Sequence, residues 1–307
     1  MNEPTPPDFI IVGHITQDLQ PDGRLSPGGT VSYAATTAQR LGCRVGVVTS
    51  TGTDLDVAQI LPFAEIACHP AVATTVFENI YLDGKRKQIL HRRAGMLHCE
   101  QIPSAWRCAP IVHLGPLDQE IDQGVFHCFD DRVVIGVTPQ GFLRRWDEQG
   151  LVSFTEWTPP EAVLRRINVL VLSEMDVPDP DGLVRDWGQW IDIIVVTRAA
   201  RGATVYRSGE SCAYPARPAR EVDPTGAGDV FAAAFLIRLI ETGDPCQAAQ
   251  FANVVASFSI EGPGVTRIPA RRQVEAYLES VGADHYPVLK PAAPALAVPD
   301  PAGLQPA

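Results

Sequence analysis

Residues Glu221 to Phe231 read Glu-Val-Asp-Pro-Thr-Gly-Ala-Gly-Asp-Val-Phe, a turn that passes through two glycines into the apolar run Ala232 to Ile240. Glycines at a helix entrance let the backbone approach a ligand closely. The unpaired N–H groups of the first turn, with the helix dipole, then favour an anion. The spacing predicts an anion cradle over Gly226, Ala227 and Gly228, with Asp229 in the same turn. On chemistry alone that carboxylate has two readings. It takes a proton from an attacking hydroxyl, or it stabilises the helix N-terminus by roughly 0.3–1 kcal/mol. A second carboxylate, Asp18, follows the run Phe9 to Val12. It stands at the strand edge where open α/β sheets bind ligands, and it can accept two hydroxyl hydrogen bonds. The sequence has no P-loop and no protein-kinase H-R-D or D-F-G motif, so the helix entrance is the one phosphate site legible in it.

Elements must hold these groups in place. Short apolar runs recur at 9–12, 45–48, 111–114, 133–137, 169–172 and 193–196, continuous rather than alternating. That is how strands buried on both faces of a parallel sheet read. Helical patterns are read at 30–41, 119–130, 159–166, 181–190, 227–242, 245–261 and 271–280. The alternation predicts an α/β fold with a mostly parallel central sheet and helices on both faces. Residues 74–91 read as two strands around Asp83-Gly84, and 14–27 as a shorter stretch turning at Pro21-Asp22-Gly23. Each reads either as an ordinary surface hairpin or as part of a small β flap projecting from the main sheet. Residues 201–214 read as a further hairpin, and the Pro- and Ala-rich stretch 285–307 as an extended tail.

Lys+Arg 25 against Asp+Glu 36 gives 25 − 36 = −11. That balance disfavours a nucleic-acid binder. No apolar run reaches the roughly 18 residues a membrane helix needs, and the Pro-rich start does not read as a secretory leader. Seven scattered cysteines, none spaced C-x-x-C, predict neither a disulfide framework nor a metal cluster, and fit a reducing cytoplasm.

Asp223 to Asp229 resembles the C-terminal signature Asp-Thr-x-Gly-Ala-Gly-Asp of the ribokinase-like (PfkB) carbohydrate kinases. Order and spacing agree elsewhere, over about residues 8–280, which implies a kinase domain over 8–284. Ile11 to Asp18 is similar to the family's first strand and its substrate Asp. Gly28-Gly29, before a helix ending Arg40-Leu41-Gly42, is similar to its di-glycine motif. Thr197 with Gly202 resembles its nucleotide turn, and Asn253 through Gly264 the helix and loop beside its adenine.

The resemblance implies a doubly wound ribokinase-like fold with a lid over 14–27 and 74–91. It implies an ATP- and Mg²⁺-dependent kinase of a small polyol, sugar or cyclitol, with a monovalent cation near Asp223 and a homodimer through the flap. Asp229 would be the base, and Gly226, Ala227 and Gly228 the anion hole. Thr197, Gly202, Thr225, Gly226, Gly228 and Asn253 would bind the nucleotide. Asp18, Gly28, Gly29, Tyr33 and Asp229 would bind the acceptor.

Four departures bear on the site. The family's Asn-x-x-Glu is here Ser173-Glu174-Met175-Asp176, making Asp176, with Glu174, the implied metal ligands. Ala199 replaces the middle glycine of the nucleotide turn. Tyr33 replaces an Asn, either as a ring-stacking face for the acceptor or as core packing, and Thr16 replaces a polar Asn near Asp18. The Gly-Gly-x-x-Ser-aromatic pattern and Pro139-Gln140-Gly141-Phe142-x-Arg144 are similar to the inositol kinase branch. The basic stretch Lys85-Arg86-Lys87 with Arg92-Arg93 reads as a solvated strand edge or as a phosphate contact. Two other classes compete: a non-catalytic small-molecule or nucleotide-binding member of the same fold, and a dinucleotide oxidoreductase. The latter needs G-x-G-x-x-G after the first strand, where Gly13 to Asp18 does not supply it.

Overall fold

The computed structural model describes residues 5–282, apart from the turn at 83–84 and the side chains of 81–86. The Asp83-Gly84 turn, the Lys85 and Arg86 side chains and the tail 285–307 therefore lie outside the described residues.

Each continuous apolar run becomes a strand of one large sheet. These are β1 (Phe9–Val12), β4 (Val45–Thr51), β8 (Ile111–Leu114), β9 (Val134–Val137), β12 (Val169–Ser173) and β13 (Ile193–Thr197). β1, β4 and β8 are buried at every position, which is why their sequences carry no polar alternation. Three strands complete the sheet: β5 (Glu65–Pro70) at one edge, and the hairpin β14 (Ala203–Arg207) and β15 (Glu210–Tyr214) at the other. The order among the described residues is β15-β14-β13-β12-β9-β8-β1-β4-β5, parallel from β5 to β13 and antiparallel across the last two pairings.

Helices cover both faces. On one side α1 (Gly29–Arg40), α5 (Ala227–Thr242) and α6 (Pro245–Ser259) pack Val31, Ala34, Phe235 and Phe251 against β1, β12 and β13. Gly136 on β9 brings α5 close to the sheet, because a Cβ there would lie 2.4 Å from Leu236. On the other side α3 (Glu161–Leu164) and α4 (Pro180–Trp187) enclose a second cluster with Phe126, Phe142 and Trp157. The short α2 (Val57–Ile60) and the C-terminal α7 (Arg271–Val281) flank the first side.

The expected flap is a separate sheet. β2 (Thr16–Leu19) pairs antiparallel with β3 (Leu25–Gly28), and β6 (Thr75–Leu82) with β7 (Lys85–Arg92). Parallel pairing of β2 with β6 joins the hairpins in the order β3-β2-β6-β7. Phe77 and Leu90 pack on Leu117 beneath it, beside the small hairpin β10 (Arg144–Trp146) and β11 (Val152–Phe154).

Two expectations are corrected. No helix forms over 119–130. Gln119 has φ +62° and Ile121 bridges Leu97, so only Gln123–His127 makes a 3-10 turn, capped by Asp122. The Glu120 carboxylate accepts hydrogen bonds from the backbone N–H groups of Leu117 and Asp118, and that local bonding holds the chain in a loop. The cysteines are not all unpaired: Cys99 and Cys128, 29 residues apart in sequence, form a disulfide. Among the described residues no helix is long and apolar enough to cross a membrane.

Candidate active site

The parallel strands end on one edge, and the predicted site residues gather there, where open α/β sheets bind ligands. α5 begins at Gly226, whose φ of +76° is left-handed and favours glycine. A Cβ at Gly226 would lie 2.3 Å from the Tyr33 ring, so the ring rests directly on the loop backbone. Tyr33 is 5 % exposed, which favours packing over an open stacking face. Burial raises its phenol well above the usual range, reinforced by the charges of Asp223, Asp18 and Asp229. Gly228 differs from Gly226. Its backbone is helical and a Cβ there meets nothing, so its open side faces the space where an anion would sit.

The loop before α5 is braced at its acidic end. Asp223 accepts hydrogen bonds from Thr225 N at 3.0 Å and Gly264 N at 2.9 Å, while the Val222 and Asp223 amides donate to Ile260 O. The end of α6 thus fixes the cradle's shape. The bonds from Thr225 and Gly264 also hold the Asp223 carboxyl below its ordinary range, against burial.

Asp229 is half-buried in the first turn of α5 and hydrogen-bonded to the Thr30 hydroxyl. Burial pushes its pKa up to about 6; Thr30 and Arg144 pull it down, and Asp176 pushes it up. Thr30 lies in the first turn of α1, so contact between α1 and α5 sets the carboxylate's direction. Neither Thr30 nor Arg144 is apparent as a site residue in sequence, although Arg144 belongs to the Pro139-to-Arg144 pattern.

Across the edge, Asp18 sits on β2 opposite Ser26. Its carboxylate lies against the backbone of Gly28, where a Cβ would come 2.4 Å from Oδ2. Gly29, with φ +85°, lets the start of α1 rest on the His14 carbonyl oxygen, 2.8 Å from where a Cβ would be. The di-glycine pair is therefore required by close approach on both sides.

The two implied metal ligands part company. Asp176 accepts from Ser173 N at 2.8 Å and from Gln140 Nε2 at 3.2 Å, and its charge is felt at Asp229. Glu174 is held by Arg201 and Arg198, which lower its pKa. Its charge is thus already compensated by two guanidinium groups. An oxygen-only pair of nearby carboxylates, Asp176 and Asp229, suits a hard divalent cation that keeps several waters.

In the nucleotide turn, Ala199 adopts φ +49°, the conformation a glycine would take without strain. Gly202, at φ +88°, passes so close to Tyr214 O that no Cβ fits. Thr197 ends β13 half-buried, with its hydroxyl donating to Leu172 O. Thr225 is exposed beside the cradle. Asn253 is 4 % exposed, and its amide donates to Tyr214 O at 3.0 Å. It ties α6 to the end of β15, so the amide expected near a base instead frames that edge.

Residues 180–271 match the family model described as pfkB family carbohydrate kinase. The cytidine kinase of Thermococcus kodakarensis is 29% identical over 254 residues, which cover 75% of this chain and 87% of that protein. Fructokinase-1 of Oryza sativa subsp. japonica is 22% identical over 62% of this chain and 60% of its own length. A solved pyrophosphate-dependent kinase in the ribokinase family, complexed with a pyrophosphate analog and myo-inositol, superimposes with a TM-score of 0.75 at 23% identity. That match covers 88% of this chain and 100% of the other, a likeness of fold.

Proposed function

We propose that the chain is a ribokinase-like (PfkB) carbohydrate kinase and that it transfers the γ-phosphoryl group of ATP to a hydroxyl of a small polyol, sugar or cyclitol. The observation that carries the proposal is Asp229, fixed by Thr30 in the first turn of α5 beside the left-handed Gly226.

Asp229 takes the proton of the acceptor hydroxyl. The acceptor oxygen bonds to the γ-phosphorus as the bond to the β-phosphate oxygen breaks, releasing ADP. Charge spread over the transferring group meets the N–H groups of Gly226, Ala227 and Gly228 and the dipole of α5, donors that need no reorganisation during the reaction. A carboxylate with a pKa near 6 is ionised at neutral pH and still basic enough to hold the proton as it leaves. Asp18 orients the acceptor by accepting from its hydroxyls. Mg²⁺ would be held by Asp176, with Asp229 nearby, and supplies charge neutralisation for the donor phosphates. Arg144, whose charge reaches Asp229, begins β10.

The relatives include a cytidine kinase, a fructokinase and a myo-inositol complex, so the acceptors to compare are a nucleoside, sugars and a cyclitol. A turnover assay with cytidine, fructose, ribose and myo-inositol as acceptors, each with Mg-ATP and Mg-pyrophosphate as donors, decides both partners. We expect ADP release above the acceptor-free rate with at least one of them. Donor binding without turnover on a wide polyol and nucleoside panel would instead favour the non-catalytic reading.

A further inference from the structure

We propose that His14 is a positioning residue for the acceptor, clamping the roots of the lid to the sheet so that Asp18 is held facing Asp229. The proposal rests on the reading of Asp18 as an acceptor ligand, but the clamp is a feature of the structure in its own right.

His14 follows β1 and is fully buried, as are Asp118 and Glu120 in the loop after β8. Its ring reaches both strands of the second lid hairpin. Nε2 is 2.8 Å from Gly95 O, just beyond β7, and donates to it. Nδ1 is 2.9 Å from the hydroxyl of Thr75, the first residue of β6. That hydroxyl also accepts from Ala94 N, so a single ring closes the base of the hairpin. The first lid hairpin leaves from the same residue: the His14 amide donates to Glu120 at 3.0 Å, and Thr16 begins β2. Thr16 pairs with Thr75 in the parallel β2–β6 ladder, and Asp18 follows on the same strand, paired with Phe77. The start of α1, which carries the Thr30 partner of Asp229, rests on the His14 carbonyl oxygen. One residue therefore leads into the β2 strand of Asp18, bonds the β6 strand that aligns it, and lies against the helix that orients the base.

The surroundings are built to hold the ring charged. Asp118 Oδ1 accepts no hydrogen bond and lies 3.2 Å from Nδ1. Arg93, just past β7, donates to Asp118 Oδ2 at 3.1 Å and to the Asp118 carbonyl. Burial alone would strip the proton from His14, but the charges of Glu120 and Asp118 outweigh it and raise its pKa. Arg93 and the His14 ring face two acidic groups, Asp118 and Glu120, and burial together with the Asp118 charge pushes the Glu120 carboxyl up to about 7. The ligand atoms of His14, Asp118 and Glu120 lie within 4.8 Å of one another, a spacing that would suit a metal. Each group is already committed to protein: Nε2 to Gly95, Asp118 to Arg93, and Glu120 to the amides of His14, Leu117 and Asp118. That favours a clamp over a metal centre.

The variants His14→Ala, His14→Gln and Asp118→Asn test the clamp by amide hydrogen exchange of the whole protein at one pH, followed by mass spectrometry. Gln keeps a donor near the Nε2 position and Ala keeps none. We expect exchange over β6 and β7 to quicken by about tenfold or more in His14→Ala, as for loss of a charge-assisted bond. The effect should be smaller in His14→Gln, with β1, β4 and β8 unchanged in both. If His14→Ala fails to fold, the same comparison is read from the other two. Wild-type lid exchange in a folded His14→Gln and a folded Asp118→Asn would overturn the proposal. The kinetic arm uses myo-inositol and Mg-ATP, or cytidine if inositol is not turned over. There the KM of the acceptor should rise about tenfold, while the KM of ATP and kcat stay within about twofold. An unchanged acceptor KM with a loosened lid would leave the clamp standing but overturn its positioning role. Absence of wild-type turnover on both acceptors would count against the kinase reading, with the exchange result still deciding the clamp.

Discussion

On the proposed kinase reading, Asp229 is a residue costly to the fold and necessary to the chemistry. Burial disfavours its charge, and Thr30 and Arg144 only partly offset that, leaving its pKa at about 6. The folded state holds a proton on this group more readily than the unfolded chain does. The ionised carboxylate therefore costs stability above the usual carboxylate range, and the cost persists at neutral pH. Asp229→Asn should remove that charge and raise the melting temperature while lowering kcat by about 10²–10⁴-fold. Calorimetry and steady-state kinetics on the same preparation check both. For the wild type, kcat/KM should fall as pH drops through about 6, because protonated Asp229 cannot accept the acceptor's proton. A pH profile flat from 5 to 8 would remove Asp229 from the role of base. Asp18→Ala separates acceptor from donor. Losing a carboxylate that accepts two hydroxyl bonds should raise the acceptor KM by on the order of a hundredfold, with ATP affinity nearly unchanged.

At the scale of elements, the cradle is only as well placed as α5, and Gly136 on β9 sets how closely that helix meets the sheet. A Cβ at Gly136 would lie 2.4 Å from the end of the Leu236 side chain, inside a buried cluster, so that side chain must move to accommodate it. Gly136→Ala should cost about 1–3 kcal/mol through overpacking. It should also lower kcat by displacing the start of α5, and urea unfolding with parallel kinetics measures both effects. The parallel strands and α5 were legible in sequence because each is a long, uninterrupted apolar signal. β5, with Glu65, His69 and Pro70, has no such run and owes its place to pairing with β4. β10 and β11 are three residues each, too short to show a period, so they too were missed. The apparent helix at 119–130 gave way to the Glu120 loop, a side-chain effect that periodicity does not register. In the site, the cradle, Asp18 and the di-glycine pair were visible because their chemistry is local. Thr30, and the cluster of His14 with Asp118 and Glu120, were not. The contacts of His14 with Asp118 and Glu120, and of Thr30 with Asp229, join residues 104 positions apart or more, and nothing in their own neighbourhoods marks them.

For the whole molecule, the proposed reaction assigns its two ligands to different parts of the architecture. The acceptor side lies between the lid and the ends of the parallel strands. The donor side is framed by the start of α5, the end of α6 and the turn after β13, all joined through the larger apolar cluster. A donor bound there engages only the folded chain, since the cradle needs Gly226, Asp223 and Gly264 brought together from separate elements. Binding to the native state alone adds RT ln(1 + [L]/Kd), about 2.7 kcal/mol at a hundredfold excess over Kd. For a domain of this size each kcal/mol moves the melting point by about 2–4 °C. Mg-ATP should therefore raise Tm by several degrees, and NAD should leave it unchanged, because the turn after β1 lacks the glycines that cradle a dinucleotide. The Asp223→Ala variant adds a control at the same scale. It removes the brace between the α5 entrance and Gly264, so the Mg-ATP shift should shrink in it even where the ligand-free Tm is close to wild type. A full-sized shift in Asp223→Ala would move the donor site away from this helix entrance. A shift with NAD and none with Mg-ATP would replace phosphoryl transfer with dinucleotide chemistry.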